Sequence, residues 1–313
     1  MEQATCEVCP RGCRLADGED GFCDVRAGQR DSVRDLYYSA IAWPGVRVRW
    51  GADVTWGFSG MRNRRVAEVY LPGCNLKCDF CVGPFLSRIG DIRGIRWIEA
   101  ADLVRAAAGL VDVMAFTGGE PSIHVEYLES VMSQCKDRGI LTCVETNGYM
   151  TRSTAEKLAK HANYVGLGLK ASLDPAFYKQ KFAAETQPIL GAAKIFVESG
   201  CELILTDLTD PNLWEDRQAF ETLVRWIVES LGSETRLALS SLETTERTHV
   251  TSQEQRQAYL EKYQKIATEA GLKQVFFQVD ARKRAEERRE HLEKIGLYRT
   301  LEQLGISPSA QQW

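Results

Sequence analysis

From residue 66 onward the chain alternates short, β-prone apolar runs with longer stretches whose apolar residues recur at helical spacing. Val66-Ala67-Glu68-Val69-Tyr70-Leu71 is the first run, and others occupy residues 111–116, 141–146, 164–169, 202–206 and 236–240. The helix-length segments between them are 98–110, 125–139, 154–162, 186–200 and 216–231. Such alternation predicts an α/β fold built on a parallel sheet. Six strand–helix units are too few to close an eight-stranded barrel. In architectures of this kind the chemistry gathers at the C-terminal ends of the strands, which singles out the residues that follow each run.

The flanks are patterned differently. Residues 31–60 carry few helical signals, and Val46-Arg47-Val48-Arg49-Trp50 alternates as a half-buried strand does. This segment reads as a linker or hairpin, with Trp43, Trp50 and Trp56 as packing residues. Residues 251–271 form a polar helix pattern ending in glycine. Residues 273–280 then suit one more strand, with Asp280 at its mouth. A charge-dense, solvated helix pattern covers 281–294, a packing helix 295–304. Three regions result: a leader over 1–40, an α/β domain over 41–245, and a C-terminal strand with a helical extension over 246–313.

Bulk properties narrow the function classes. The chain has 313 residues, 44% hydrophobic content and a net charge of −4, as expected of an enzyme with one large core. Nothing is basic enough to demand nucleic acid, although Arg282-Lys283-Arg284 with Arg288 and Arg289 leaves that partner open. The first residues lack a signal peptide's charged and apolar regions, and no apolar run approaches the roughly 20 residues of a membrane span. Ten cysteines then argue for a reducing compartment and metal ligation, hence a cytoplasmic protein without a membrane partner.

Seven of those cysteines have ligand spacing. Cys6-x2-Cys9-x3-Cys13-x9-Cys23 is interspersed with Pro10, Gly12, Gly18 and Gly21, which supply turns that let four sulfurs converge. A closed four-thiolate shell suits structural Zn²⁺, a mononuclear iron or a complete [4Fe–4S] cluster, so a second metal centre (Fe, Zn or Fe–S) is expected there. Cys74-x3-Cys78-x2-Cys81 lies in a polar loop just after the first strand. Three thiolates on a [4Fe–4S] cube would leave one iron open to a ligand; the alternative is a zinc loop that borrows a fourth ligand. Cys135, Cys143 and Cys201 lack ligand spacing and read as small buried hydrophobes.

With Phe80 before its last cysteine, the Cys74–Cys81 loop resembles the signature of the radical S-adenosylmethionine (SAM) superfamily. Phe116-Thr117-Gly118-Gly119-Glu120-Pro121, after the second strand, resembles that family's Gly-Gly-Glu motif. On its own that string reads as a tight turn with a capping glutamate. Glu145-Thr146-Asn147-Gly148 and Gly166-Leu167-Gly168-Leu169-Lys170 resemble the third and fourth strand ends of the pyruvate formate-lyase activating enzyme group. The four-cysteine leader is similar to that of the group's AmmeMemoRadiSam type.

The resemblance implies a partial (βα)6 TIM-like barrel behind a small N-terminal four-cysteine knuckle, followed by a C-terminal helical extension. It implies a [4Fe–4S] cluster on Cys74, Cys78 and Cys81, with SAM on its open iron. Phe80 would pack beside the adenine, and Gly118, Gly119 and Glu120 would grip the methionine. Glu145, Thr146, Asn147 and Lys170 would complete the pocket, although Lys170 reads equally as a solvated strand-end lysine. An electron donor such as ferredoxin or flavodoxin would be a partner.

Two departures matter. Gly168 stands where the activating enzymes carry an aspartate, and the nearest counterpart of their barrel-mouth histidine, His249, lies several residues beyond the sixth strand. Thr206-Asp207 and Asp210-Pro211-Asn212 read either as mouth ligands or as a capped loop. The expected activity is reductive cleavage of SAM to a 5′-deoxyadenosyl radical that abstracts hydrogen from a small molecule, peptide or RNA. The alternatives are a glycyl-radical activase acting on a partner protein, and a non-catalytic metal-binding module.

Overall fold

The computed structural model describes residues 3–50, 58–81, 83–210, 213–214, 216–241 and 253–277. The sequence expectations for Trp56, Pro211, Asn212, His249, Asp280 and the helical extension over 281–304 lie outside the described residues.

The leader opens with β1 (Ala4–Thr5) and β2 (Arg14–Leu15), an antiparallel pair, followed by the hairpin β3 (Arg26–Gln29) and β4 (Ser32–Asp35). Next come β5 (Ala40–Ala42) and β6 (Val46–Trp50). The alternating 46–50 run is thus a strand, and it borders the main sheet antiparallel to β7 (Arg65–Leu71). After a short helix α1 (Pro84–Ser87), β8 (Ile95–Trp97) returns to pair with β5.

The remaining strands follow the predicted alternation. They are β9 (Val113–Gly118), β10 (Leu141–Thr146), β11 (Tyr164–Lys170), β12 (Glu202–Leu208), β13 (Arg236–Ser240) and β14 (Gln274–Phe277). The sheet order is β14-β13-β12-β11-β10-β9-β7-β6, and every pair from β7 to β14 is parallel. The strand anticipated at 273–280 is therefore a seventh parallel strand, four residues long. Helices α2 (Ala100–Ala107), α3 (Val125–Asp137), α4 (Arg152–Ala159), α5 (Pro175–Phe182), α6 (Gln187–Glu198), α7 (Arg217–Ser230) and α8 (Gln253–Glu269) complete the crossovers. The partial TIM-like barrel is borne out.

Strand alternation divides the core in two. Ala67, Val69, Phe116, Val144, Leu167, Leu205 and Leu239 pack outward under the helices. Val66, Val113, Ala115, Cys143, Ile204 and Ala238 point inward and meet Phe58, Met61 and Tyr164 at the N-terminal end of the strands. Phe58 and Tyr164 lie 5.2 Å apart and fill that end. The open end is the C-terminal one.

Local chemistry sets the helix boundaries. Asp216 caps α7 by accepting from the Ala219 amide at 3.0 Å, and Phe220, Leu223, Val224 and Ile227 bury one face. The sequence pattern did not predict α5, whose signals are Asp174 capping the Phe177 amide at 2.8 Å and Pro175 in the first turn. Cys135, Cys143 and Cys201 are buried among apolar side chains, as expected.

Candidate functional site

Strand β7 ends at Leu71, and the chain turns through Gly73 at φ 79° into the three-cysteine loop. A side chain at Gly73 would strike Val25 Cγ2 at 2.3 Å, so the leader packs directly on this turn. Lys77 holds a left-handed φ of 52°, and its Nζ pairs with Asp24 of the leader at 2.6 Å. Cys74 is buried, whereas Cys78 and Cys81 are half-buried. Burial and then the Glu120 carboxylate push the Cys74 thiol up to about 11; burial pushes Cys78 up to about 12 against the pull of Lys170. Thiols in this state need a bound cation to become thiolate ligands.

The turn after β9 lies backbone to backbone against that loop. Gly118 sits at φ 116°, and a Cβ there would come within 2.4 Å of Leu71 O. At Gly119 a Cβ would fall 1.9 Å from Gly73 O. No larger residue fits either position without moving the cysteine loop. Glu120 is 1% exposed. Its Oε1 accepts from Ser122 N (3.0 Å) and Thr146 Oγ1 (2.5 Å), and its Oε2 from Asn147 N (2.7 Å). The capping role read from the isolated string is therefore real. Three donors also leave this carboxylate a lone pair for an ammonium group.

The other pocket residues surround the same space. Thr146 and Asn147 are joined to Glu120, and Asn147 Nδ2 also donates to Asn75 Oδ1 at 2.9 Å and lies 3.9 Å from Cys74 Sγ. Glu145 alternates with them onto the inner face of β10. Lys170, on the inner face of β11, donates from Nζ to Gly168 O at 2.8 Å and is close enough to favour a Cys78 thiolate. Phe80 lies 6.1 Å from both Phe177 and Phe182, ring to ring.

Some strand-end residues have other work. Asp207 turns outward and is wholly buried, accepting from Ser172 N at 2.9 Å and Ser172 Oγ at 2.8 Å. It belongs to a capped turn and does not face the mouth. Burial pushes its carboxyl up to about 6. Ala171, Ser172 and Leu173 are all left-handed, with φ of 45°, 53° and 54°, and Asp207 holds that turn. Asn75, a mere spacer in the sequence motif, is completely buried and donates to Tyr149 O at 2.7 Å. Spacer positions carry no sequence signal of such a role.

Cys6, Cys9, Cys13 and Cys23 line one small cavity that Arg11, Arg26 and Asn75 also border. Burial raises the Cys6 and Cys23 thiols and pushes Cys9 up to about 11. Arg26 anchors this leader to the barrel through Glu126, at 2.8 and 2.6 Å, and Ile123 O, at 2.9 Å. His124 adds a second tie, with Nε2 donating to Pro72 O at 2.7 Å and Nδ1 lying 2.8 Å from Asp35. Arg11 adds a third, donating to Asn75 O at 2.8 Å and Phe182 O at 2.7 Å.

Among the described residues no three His, Cys, Asp or Glu side chains stand as a finished metal-ligand set. The four leader thiols line one cavity, and in the three-cysteine loop and the leader alike convergence of the sulfurs on one point would fall to a bound metal. The donor set and the glycine cradle fit a cluster and an amino-acid ligand at the loop. Among the described residues no helix is long and apolar enough to cross a membrane.

Comparison with known proteins agrees with this geometry. Residues 69–226 match the Radical SAM superfamily. An uncharacterized protein of Methanocaldococcus jannaschii is 23% identical over 246 residues, 75% of this chain and 69% of that one. The pyruvate formate-lyase-activating enzyme of Clostridium pasteurianum is 28% identical over 113 residues, 33% of this chain and 44% of the enzyme. The match thus spans less than half of that enzyme's length. Streptococcus suis SuiB, solved bound to the precursor peptide SuiA, superposes with a TM-score of 0.50 at 21% identity, over 66% of this chain and 47% of SuiB. At that identity the likeness is one of fold.

Proposed function

We propose that this chain, which belongs to the radical SAM superfamily, is an enzyme that abstracts hydrogen from a small-molecule, peptide or RNA substrate at the open end of its barrel. A [4Fe–4S] cluster held there would supply the electron for reductive cleavage of SAM to methionine and a 5′-deoxyadenosyl radical. The protein itself binds and orients the reactants and excludes water. In this reading Cys74, Cys78 and Cys81 hold the cluster, and Glu120, presented through Gly118 and Gly119, receives the methionine ammonium. Phe80 flanks the adenine, and Glu145, Thr146, Asn147 and Lys170 wall the pocket. The electron comes from a reduced ferredoxin or flavodoxin. A second metal occupies Cys6, Cys9, Cys13 and Cys23.

The observation that carries this reading is the interlock of two loops, with the Gly119 Cα hydrogen facing Gly73 O where a Cβ would stand 1.9 Å away. Only a glycine pair lets a carboxylate approach a cysteine loop so closely. A second reading, activation of a partner protein by glycyl-radical formation, draws on the activating enzymes among the relatives. Against it, the described histidines, His124 and His161, both lie away from the end of β13: one in the leader interface, the other between α4 and β11.

The test is anaerobic turnover of reconstituted protein with SAM and dithionite. Formation of 5′-deoxyadenosine is expected, with deuterium passing into it from one labelled substrate class. No 5′-deoxyadenosine from protein carrying a full cluster would overturn the reading. Label from a partner's glycine would replace it with the activase.

A further inference from the structure

We infer that the four-cysteine leader takes a single thiophilic divalent ion, not an iron–sulfur cluster, and that this ion braces the catalytic loop from behind through Asn75. The inference deepens the assignment of a metal to the leader and does not depend on SAM cleavage.

Size limits the occupant first. The cavity among Cys6, Cys9, Cys13 and Cys23 measures about 10 Å³, room for about one water-sized sphere. A cube of four irons and four sulfides needs several times that space. The walls are held by backbone bonds that dilation would break: Cys6 N to Cys13 O at 2.9 Å, Gly21 N to Arg26 O at 2.7 Å and Asp24 N to Gly21 O at 2.9 Å. At Gly21 even an added Cβ would meet Arg26 O at 3.1 Å.

The surrounding polarity suits a charged cage. Arg26, 4% exposed, borders the cavity, and its Nε–H is buried without a hydrogen-bond partner. An unpaired buried donor is costly. A cage of metal-bound thiolates would supply its acceptor. Four thiolates and one divalent cation leave a net charge of −2, which Arg11 and Arg26 border.

Connectivity supplies the brace. Asn75 lies between Cys74 and Leu76 and lines the cavity together with Cys9, while Arg11, two residues after Cys9, donates to Asn75 O at 2.8 Å. Its Oδ1 accepts from Asn147 Nδ2, the group 3.9 Å from Cys74 Sγ. An ion that fixes Cys9 therefore fixes Asn75, and with it the first ligand of the catalytic loop.

The experiment uses the full chain with Cys74→Ser, Cys78→Ser and Cys81→Ser combined, so that only the leader can bind metal. The metal-free protein is offered Zn²⁺, Fe²⁺, or Fe²⁺ with sulfide, under anaerobic conditions. The expected result is one ion per chain in every arm, no acid-labile sulfide, and an X-ray absorption spectrum with sulfur neighbours at about 2.3 Å and no metal–metal scattering. Zn²⁺ should also slow amide exchange in residues 74–77 at least tenfold. Labile sulfide with several irons, no metal uptake, or uptake that survives Cys9→Ser with Cys23→Ser would overturn the single-ion site. Unchanged exchange on zinc binding would overturn the brace. Should the triple variant not fold, the same absorption and exchange measurements on wild-type protein with zinc, against Cys9→Ser with Cys23→Ser, decide both points.

Discussion

Cys74, Cys78 and Cys81 hang on one loop, two of them half-buried, packed against the glycine turn that follows β9. Cys6, Cys9, Cys13 and Cys23 come from the leader and line one small cavity, three of them buried and Cys13 half-buried. The same side chain thus serves opposite ends. Three thiols that face a barrel mouth suit an inorganic group that must exchange a ligand, whereas four closed around a point suit a permanent fixture. Asn75 and Asn147 form the seam between them, through which a metal in the leader would, as proposed, bear on the catalytic loop.

Substitution can break that comparison in graded steps. Cys78→Ala should reduce 5′-deoxyadenosine formation to background while the urea midpoint hardly moves, because Cys78 anchors no described strand or helix. Gly119→Ala should push the cysteine loop off its seat; displacement of roughly 1 Å in a catalytic group costs on the order of 10²-fold in rate, and loss of cleavage at that level is expected. Cys9→Ser should remove the leader metal and cut cleavage by only about 10- to 100-fold, the usual effect of a group one shell away, with a clear drop in melting temperature. Equal losses for Cys9→Ser and Cys78→Ala in folded protein would erase the distinction between the two centres.

A control outside both centres sharpens the contrast. Asp207 is buried, with its carboxyl pushed up to about 6. Its folded form therefore binds protons more tightly than the unfolded chain does, so stability should fall as pH rises from about 4 to 6, by on the order of 3 kcal/mol, and level off above. Asp207→Asn should flatten that slope in urea unfolding measured from pH 4 to 7, and should leave the metal content of both centres unchanged. The smallest effect expected is that of Asp216→Ala, a lost helix cap worth about 1 kcal/mol, with cleavage unaltered.

Strands β7 and β9 to β13 were legible because apolar runs of strand length recur between amphipathic segments, and any such run must bury its face somewhere; β8, three residues long, was not. β14 was legible only as one further edge strand, and α5 not at all, since its capping aspartate and proline lie in a stretch too short to show a period. Glu120 was legible as a cap, which the structure shows, and the proposed ligand role is compatible with that cap. Asp207 marks where legibility stops: one residue from Thr206 in sequence, it points to the opposite side of the strand. Position at a strand end did not reveal which face the side chain would take.

The link between the glycine turn and the cysteine loop came from family resemblance, while spacing along the chain was enough to determine the two cysteine groups and the alternation of strands and helices. Those are local properties, set by how few residues separate neighbouring ligands and by the period of the apolar pattern. That the leader is seated on the catalytic loop was decided only in three dimensions, by Arg26 on Glu126, Lys77 on Asp24 and Asn75 between Cys9 and Asn147. These partners lie between 53 and 100 residues apart for the two ion pairs, and contacts at that separation leave no periodic trace, because they depend on shape and charge meeting after the chain has folded.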